Sequence, residues 1–284
     1  MYRPFAILLL AVQCSAQTQV SPELYAQFER YTAFSAAAYA DSCAIPPYDS
    51  SIVQYFNDNA TDSQATLFED AEGQELIIAF RGTSAPKDLD TDLQFGLVPL
   101  TAPGTDCSTC KVHAGFQSAY LSFADDVTAV IESHLSAHPG YSLTVTGHSL
   151  GGGVGAIATA ALAGLGHKVT TYTFGEPRNG DQAFADYLTT LIAESDYYRI
   201  THANDGVPQI PPALLGYVHH GSEYWQGEPE RNDATTTLSC GVGSSDCSNG
   251  QDFGESPINR AHLTYTSSVI GNSLNVVACG AEGF

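Results

Sequence analysis

The sequence predicts one α/β domain built on a mainly parallel sheet with helices on both faces. Three observations lead there. Short β-rich apolar runs recur at Leu76 to Phe80, Leu143 to Val145, Val169 to Phe174 and Tyr197 to Ile200, and helical stretches separate the later ones. No repeat, long charge run or Pro/Gly/Ser linker divides the chain. Apolar residues make up 43% of 284, with 10% aromatic, which is enough for a sizeable core and excludes a disordered chain.

The elements follow in chain order. After Arg3, Phe5 to Val12 form a short apolar run, and Cys14-Ser15-Ala16 carries small residues at both key positions. This reads as a secretory signal over 1–16 with cleavage after Ala16, leaving 17–284 as the domain; the competing reading is a buried N-terminal helix. The run is too short to span a bilayer, and no other apolar stretch reaches about 18 residues, so no integral membrane segment is expected. Ser21-Pro22, followed by apolar positions Leu24, Phe28, Tyr31 and Phe34, predicts an N-capped helix with proline at its first position. Further helices are expected over Ala114 to His138 and Gln182 to Ala193.

Charge narrows the function. Asp plus Glu number 31 against 10 Lys plus Arg, a formal charge of −21. Clustered cations, on which phosphate binding is built, are missing, so nucleic acid is excluded as a partner and an anionic membrane surface would repel the chain. Charged residues are only 14%, low for a soluble protein and in keeping with an extracellular one. Of seven cysteines, Cys14 leaves with the signal. The remaining six, Cys43, Cys107, Cys110, Cys240, Cys247 and Cys279, read as three disulfides in an oxidising compartment, their pairing left open. Cys107-x-x-Cys110 allows a redox or zinc reading, but its Pro/Gly/Thr-rich loop favours a small structural bridge. Asn59-Ala60-Thr61 is the one glycosylation sequon.

The chemistry is concentrated at Gly147-His148-Ser149-Leu150-Gly151, between the strand ending in Thr144-Val145-Thr146 and an Ala/Gly-rich helix. This is the pattern of a nucleophile elbow, a tight turn that strains the serine backbone and exposes its hydroxyl. A Cβ two residues to either side would collide with the neighbouring strand and helix, and the helix N-terminus faces a developing oxyanion. The glycines at 151, 152, 153 and 155, with Ala156, also fit a dinucleotide fingerprint, and Glu176 sits where a ribose-binding acid would lie. Against that, the strand ends near Gly147 with three residues intervening, and a secreted protein meets no cellular dinucleotide pool. A purely structural glycine-rich turn is the third reading.

A serine nucleophile in such a fold needs an acid and then a base, in the order Ser…Asp/Glu…His. Asp205, in the Asn204-Asp205-Gly206 turn after the strand at 197–200, is the best acid. His219, His220 and His262 remain as bases, with a modest preference for His262 near the C-terminus. No H-E-x-x-H, calcium loop or P-loop is present, so neither metal nor cofactor is expected.

Phe80-Arg81-Gly82-Thr83, Val112-His113-x-Gly115-Phe116, the elbow itself, Tyr172-Thr173-Phe174-Gly175-x-Pro177-Arg178, His202-x-Asn204-Asp205-x-Val207-Pro208 and Glu223-Tyr224-Trp225 resemble, in order, the filamentous-fungal class 3 lipases. That family includes secreted triacylglycerol lipases and type-A feruloyl esterases. The resemblance spans essentially the chain from about residue 20 onward. It implies an α/β-hydrolase fold with a short lid. It also implies Ser149 as nucleophile, Asp205 as acid, His262 as base, and an oxyanion hole from the Leu150 N–H and Thr83. The implied bridges are Cys43–Cys279, Cys107–Cys110 and Cys240–Cys247. An ester is the implied substrate, and a monomer the expected state.

Which ester is a finer question. The implied lid runs from Ser84 to Phe95, where Leu89 and Leu93 share one helical face beside Phe95. The feruloyl esterases carry a tyrosine directly after D-T-x; here Asp90-Thr91-Asp92 is followed by Leu93. Ala213-Leu214-Leu215 is apolar where those esterases resemble Asp-Glu, which adds Leu215 to the expected pocket. Neutral acylglycerols are therefore the favoured substrate, with feruloylated saccharide as the alternative.

Overall fold

The computed structural model describes residues 17–83, 96–271 and 277–280. The expected signal segment, and the lid segment with Leu89, Leu93 and Phe95, lie outside the described residues.

Nine strands form the main sheet. They are β1 (Thr18–Gln19), β2 (Ser51–Asp58), β3 (Ser63–Asp70), β4 (Glu75–Phe80), β7 (Ser142–His148), β8 (Val169–Phe174), β9 (Tyr197–His202), β10 (Glu223–Gln226) and β11 (Thr237–Cys240); β5 (Leu97–Pro99) and β6 (Lys111–His113) pair separately. The sheet order is β1-β11-β10-β9-β8-β7-β4-β3-β2. From β4 through β7, β8 and β9 to β10 every pairing is parallel, and the strands advance in chain order. Antiparallel strands close both edges. The sheet is thus mainly parallel at its centre, as expected for an α/β-hydrolase.

The helices are α1 (Pro22–Ala37), α2 (Ala114–Leu121), α3 (Ala124–Ala137), α4 (Leu150–Gly164) and α5 (Gln182–Leu191). Right-handed crossovers between strands that advance one way put every crossover helix on one face. Leu76, Ile78 and Phe80 of β4 accordingly pack with Val127, Ile131, Ile157 and Leu188. Their alternates Ile77 and Ala79 pack on the opposite face with Phe28, Tyr31 and Phe34 of α1. The α1 start is as the sequence predicts, with the Ser21 side chain accepting from the Leu24 N–H at 3.2 Å.

Two expectations need correction. The single helix expected over Ala114 to His138 breaks at Ser122-Phe123. Phe123 takes φ −140°, ψ 12°, which turns its ring into the core, stacked on Phe80 at 6.0 Å. The helix expected to reach Ala193 stops at Leu191, because Ile192 is already extended. The β2–β3 hairpin, not anticipated, exposes Asn59 at its tip. All three implied disulfides are formed, with Cα separations of 4.8, 5.4 and 6.7 Å for Cys43–Cys279, Cys107–Cys110 and Cys240–Cys247, within the range a bridge spans.

Candidate active site

The candidate residues converge at the carboxyl ends of the parallel strands, where open α/β sheets place ligands. Ser149 follows β7 directly, with φ 60° and ψ −131°, a conformation costly for a residue with a Cβ. Two close approaches hold it there. A Cβ on Gly147 would lie 2.3 Å from the Gly151 carbonyl oxygen, and one on Gly151 would lie 2.1 Å from that of Phe80. Strand and helix therefore touch backbone to backbone on both sides of the serine. The Ser149 N–H donates to Phe174 O on β8 at 2.9 Å, which fixes the turn to the sheet.

Asp205 lies three residues beyond β9 and is fully buried. The strand leaves through Ala203, at φ 40°, pinned by a 2.8 Å bond from its N–H to Gln226 O and by the Trp225 indole N–H donating to its carbonyl at 3.0 Å. Asp205 accepts from the Val207 N–H at 2.9 Å and from the Tyr265 hydroxyl at 2.5 Å. Its Oδ2 lies 2.9 Å from His262 Nδ1. His262, on a short 3-10 turn at Ala261–Leu263, puts Nε2 2.9 Å from Ser149 Oγ. A buried line of Asp205, His262 and Ser149 results, with the carboxylate oriented by two donors besides the imidazole. The arrangement can hold the Nδ1–H tautomer and leave Nε2 free to accept the serine proton.

The expected oxyanion donors sit beside this line. Leu150 is the first residue of α4, so its N–H has no acceptor within the helix. Thr83 lines the same crevice as Ser149, and its buried hydroxyl has no hydrogen-bond partner among the described residues. Ile258 and Leu263 form apolar wall. Leu215 is not brought to this crevice; it lies on an exposed 3-10 turn, 49% accessible, next to Leu214 at 96%.

The other two candidate bases are engaged elsewhere. His220 faces buried Glu176 at 3.0 Å, and Glu176 also accepts from Thr173, Asn179 and Tyr197. The acid once available to a dinucleotide ribose is thus used inside the fold. His219 bonds to the Pro208 carbonyl.

Two neighbours went unread in the sequence. His148 Nε2 meets the His262 carbonyl at 2.8 Å, and its Nδ1 meets the Tyr39 hydroxyl at 2.8 Å. Burial, first, and nearby His262 hold His148 well below the usual histidine range, so it braces the base as a neutral ring. Tyr265, the second, orients Asp205. The signal for both was present, in the middle residue of Gly147-His148-Ser149 and in the tyrosine three after His262. Their partners are more than 50 residues away and left no local pattern.

Comparisons with known proteins place the chain beside fungal lipases. The Lipase (class 3) family profile matches residues 77–215. The chain is 33% identical over 209 residues to secreted mono- and diacylglycerol lipase 1 of Fusarium solani, covering 72% of this chain and 60% of that protein. It is 32% identical to secreted mono- and diacylglycerol lipase A of Penicillium cyclopium, over 75% of this chain and 73% of that one. A nonglycosylated lipase of Yarrowia lipolytica superposes with a TM-score of 0.82 at 25% identity, covering 90% and 98% of the two chains.

Proposed function

This chain belongs to the class 3 lipase family, and on that footing we propose that it is a secreted serine carboxylester hydrolase acting on neutral acylglycerols. The observation that carries the reading is the unbroken line from Asp205 Oδ2 through the His262 ring to Ser149 Oγ, each contact 2.9 Å. The spare donors of Leu150 and Thr83 stand beside it.

In this reaction Ser149 Oγ attacks the ester carbonyl carbon while His262 Nε2 takes the hydroxyl proton. The imidazolium is stabilised by Asp205, and the carbonyl oxygen, now negative, is held by the Leu150 N–H and Thr83. Collapse breaks the bond to the alkoxy oxygen, which leaves with the proton from His262. Water, deprotonated by the same imidazole, then releases the acid and restores Ser149. The chemistry calls for no metal or cofactor. The acylglycerol class rests on the two secreted relatives, whose names give mono- and diacylglycerols as substrates, and on Leu93 standing where a phenol-binding tyrosine would be. The names of the same two relatives, both called secreted, and the N-terminal pattern support export. We take the working unit to be a monomer, glycosylated at exposed Asn59.

The test compares wild type and Ser149→Ala on monoacylglycerol, diacylglycerol, tributyrin, triolein emulsion and methyl ferulate. Loss of the nucleophile is expected to lower kcat by on the order of 10⁶. Equal rates in both proteins would reject the serine mechanism. A methyl ferulate kcat/KM above that for every acylglycerol would reject the substrate class while leaving the mechanism in place.

A further inference from the structure

At the far end of the sheet from Ser149, three side chains form a cluster that ester hydrolysis does not use. Glu69 lies near the end of β3, and His134 and His138 lie at the end of α3. Ser142 opens β7 and Ser149 follows its end, so the cluster is about 20 Å from the nucleophile at strand rise. We propose that Glu69, His134 and His138 form a binding site for a divalent transition-metal ion, with Zn2+ as its natural probe.

The spacing is the first argument. His134 stands in the last turn of α3 and His138 is the residue that caps it, already out of helical geometry at φ −128°, ψ 71°, and the two rings stack with centroids 4.7 Å apart. One ligand atom from each of the three residues falls within 4.8 Å of the others. Zinc binds histidine nitrogen and carboxylate oxygen at about 2.0–2.2 Å, so ligands in a tetrahedron lie about 3.3–3.6 Å apart. Glu69 Oε1 and His134 Nε2 are already 3.4 Å apart. His138 is exposed, and rotation of its ring closes the remaining gap.

The second argument is that the ligand atoms are not held by competing cations. Among the described residues His134 Nε2 is buried and makes no hydrogen bond; its close polar contact is the Glu69 Oε1 that would share the ion, so a metal bond would satisfy a nitrogen that is otherwise unpaired. The Glu69 carboxylate has no Arg or Lys partner among the described residues, because nearby Arg30 pairs with Asp70 and Glu75. Instead it accepts from the Tyr141 hydroxyl at 3.0 Å, the outer hydrogen bond that commonly orients a ligating carboxylate. Two imidazoles and one carboxylate suit zinc, copper or nickel better than calcium or magnesium, which take all-oxygen sets. Exposed His138 gives an entry path, and a chain of charge −21 attracts cations.

Bound metal would tie the end of α3 to β3. The experiment is calorimetric titration of the EDTA-treated protein with Zn2+, the visible d–d spectrum of a Co2+ complex, and thermal unfolding with and without Zn2+. These are run on wild type, His138→Ala and Glu69→Gln. The expected result is one Zn2+ per chain with Kd in the micromolar range or tighter, and a Tm higher by about 5 °C with Zn2+ in large excess. His138→Ala, at an exposed position that leaves the fold intact, is expected to bind at least about tenfold more weakly and to lose the Co2+ band. Glu69→Gln is expected to weaken binding as well. Ester hydrolysis by both metal-free variants is expected to match wild type. Absence of saturable binding, or equal Kd in wild type and His138→Ala, would overturn the proposal.

Discussion

Gly151→Ala is expected to damage the site through geometry alone, without touching a reacting group. Its Cβ would sit 2.1 Å from the Phe80 carbonyl oxygen and 2.8 Å from the Arg81 carbonyl carbon, both backbone atoms that cannot swing aside. An ordinary contact starts near 3.4 Å, so the first turn of α4 must retreat from β4 by about 1.3 Å. Overpacking of this kind costs about 1–3 kcal/mol. The retreat also carries Ser149 Oγ and the Leu150 N–H, and a displacement of about 1 Å can cost on the order of 10² in rate. Gly155→Ala, one turn further along the same helix, is the control. Its Cβ would meet Val145 Cγ1 at 3.5 Å and Phe80 Cδ2 at 3.8 Å, ordinary contacts. Alanine there is expected to add about 0.5–1 kcal/mol of stability through helix propensity and to leave activity unchanged. Tributyrin hydrolysis at fixed pH and chemical denaturation of the two variants provide the readings. Wild-type kcat/KM in Gly151→Ala, or equal losses in both variants, would refute the account of the elbow as a backbone-packed turn.

Replacing Cys43 and Cys279 by serine is expected to lower stability by as much as about 5 kcal/mol on the chain-entropy account, because the bridge closes a separation of 236 residues. The same change at Cys107 and Cys110, separated by 3, is expected to cost far less, and equal losses by differential scanning would contradict the account. Acid sensitivity is expected before the carboxylates titrate. Burial takes His113 from the ordinary 6.5 to about 4, so the unfolded chain binds this proton first. The associated stability, up to about 3 kcal/mol, is present above roughly pH 6.5 and lost as pH falls towards 4. His148 and His219, also held low by burial, act in the same direction. Denaturant midpoints that rise on acidification through that window would refute it.

What the sequence disclosed divides by range. The elbow was legible because all its determinants lie between Gly147 and Gly151, and Asp205 because a turn after a strand is a local pattern. The buried central strands announced themselves as apolar runs. Strands β10 and β11 did not, since they are only four residues each, and neither did the break at Phe123, where a ring's path into the core overrode helix propensity. Residue patterns alone left His219, His220 and His262 as open alternatives. The fold separates them, because the Pro208 carbonyl engages His219 from 11 residues away and Glu176 engages His220 from 44, while His262 reaches across 113 residues to Ser149. Resemblance to the fungal lipases closed that gap where physics could not. Substrate preference stayed least legible, since it rests on 84–95 and on Leu215, which the fold leaves exposed.

The neutral state of His148 has a consequence for the proposed chemistry. Its ring centroid is 4.5 Å from that of His262, close enough that a second imidazolium would strongly oppose the charge His262 must gain when it accepts the Ser149 proton. With Tyr39 donating to Nδ1 and Nε2–H donating to the His262 carbonyl, His148 satisfies both nitrogens without carrying a charge. The brace therefore fixes the backbone of the base while leaving the electrostatics of its ring to Asp205. Gly82 belongs to the same device, since a Cβ there would lie 2.0 Å from the Tyr39 hydroxyl and 2.7 Å from the His148 carbonyl. The glycine before Thr83 thus lets one segment supply an oxyanion donor and still admit the tyrosine that keeps His148 in place.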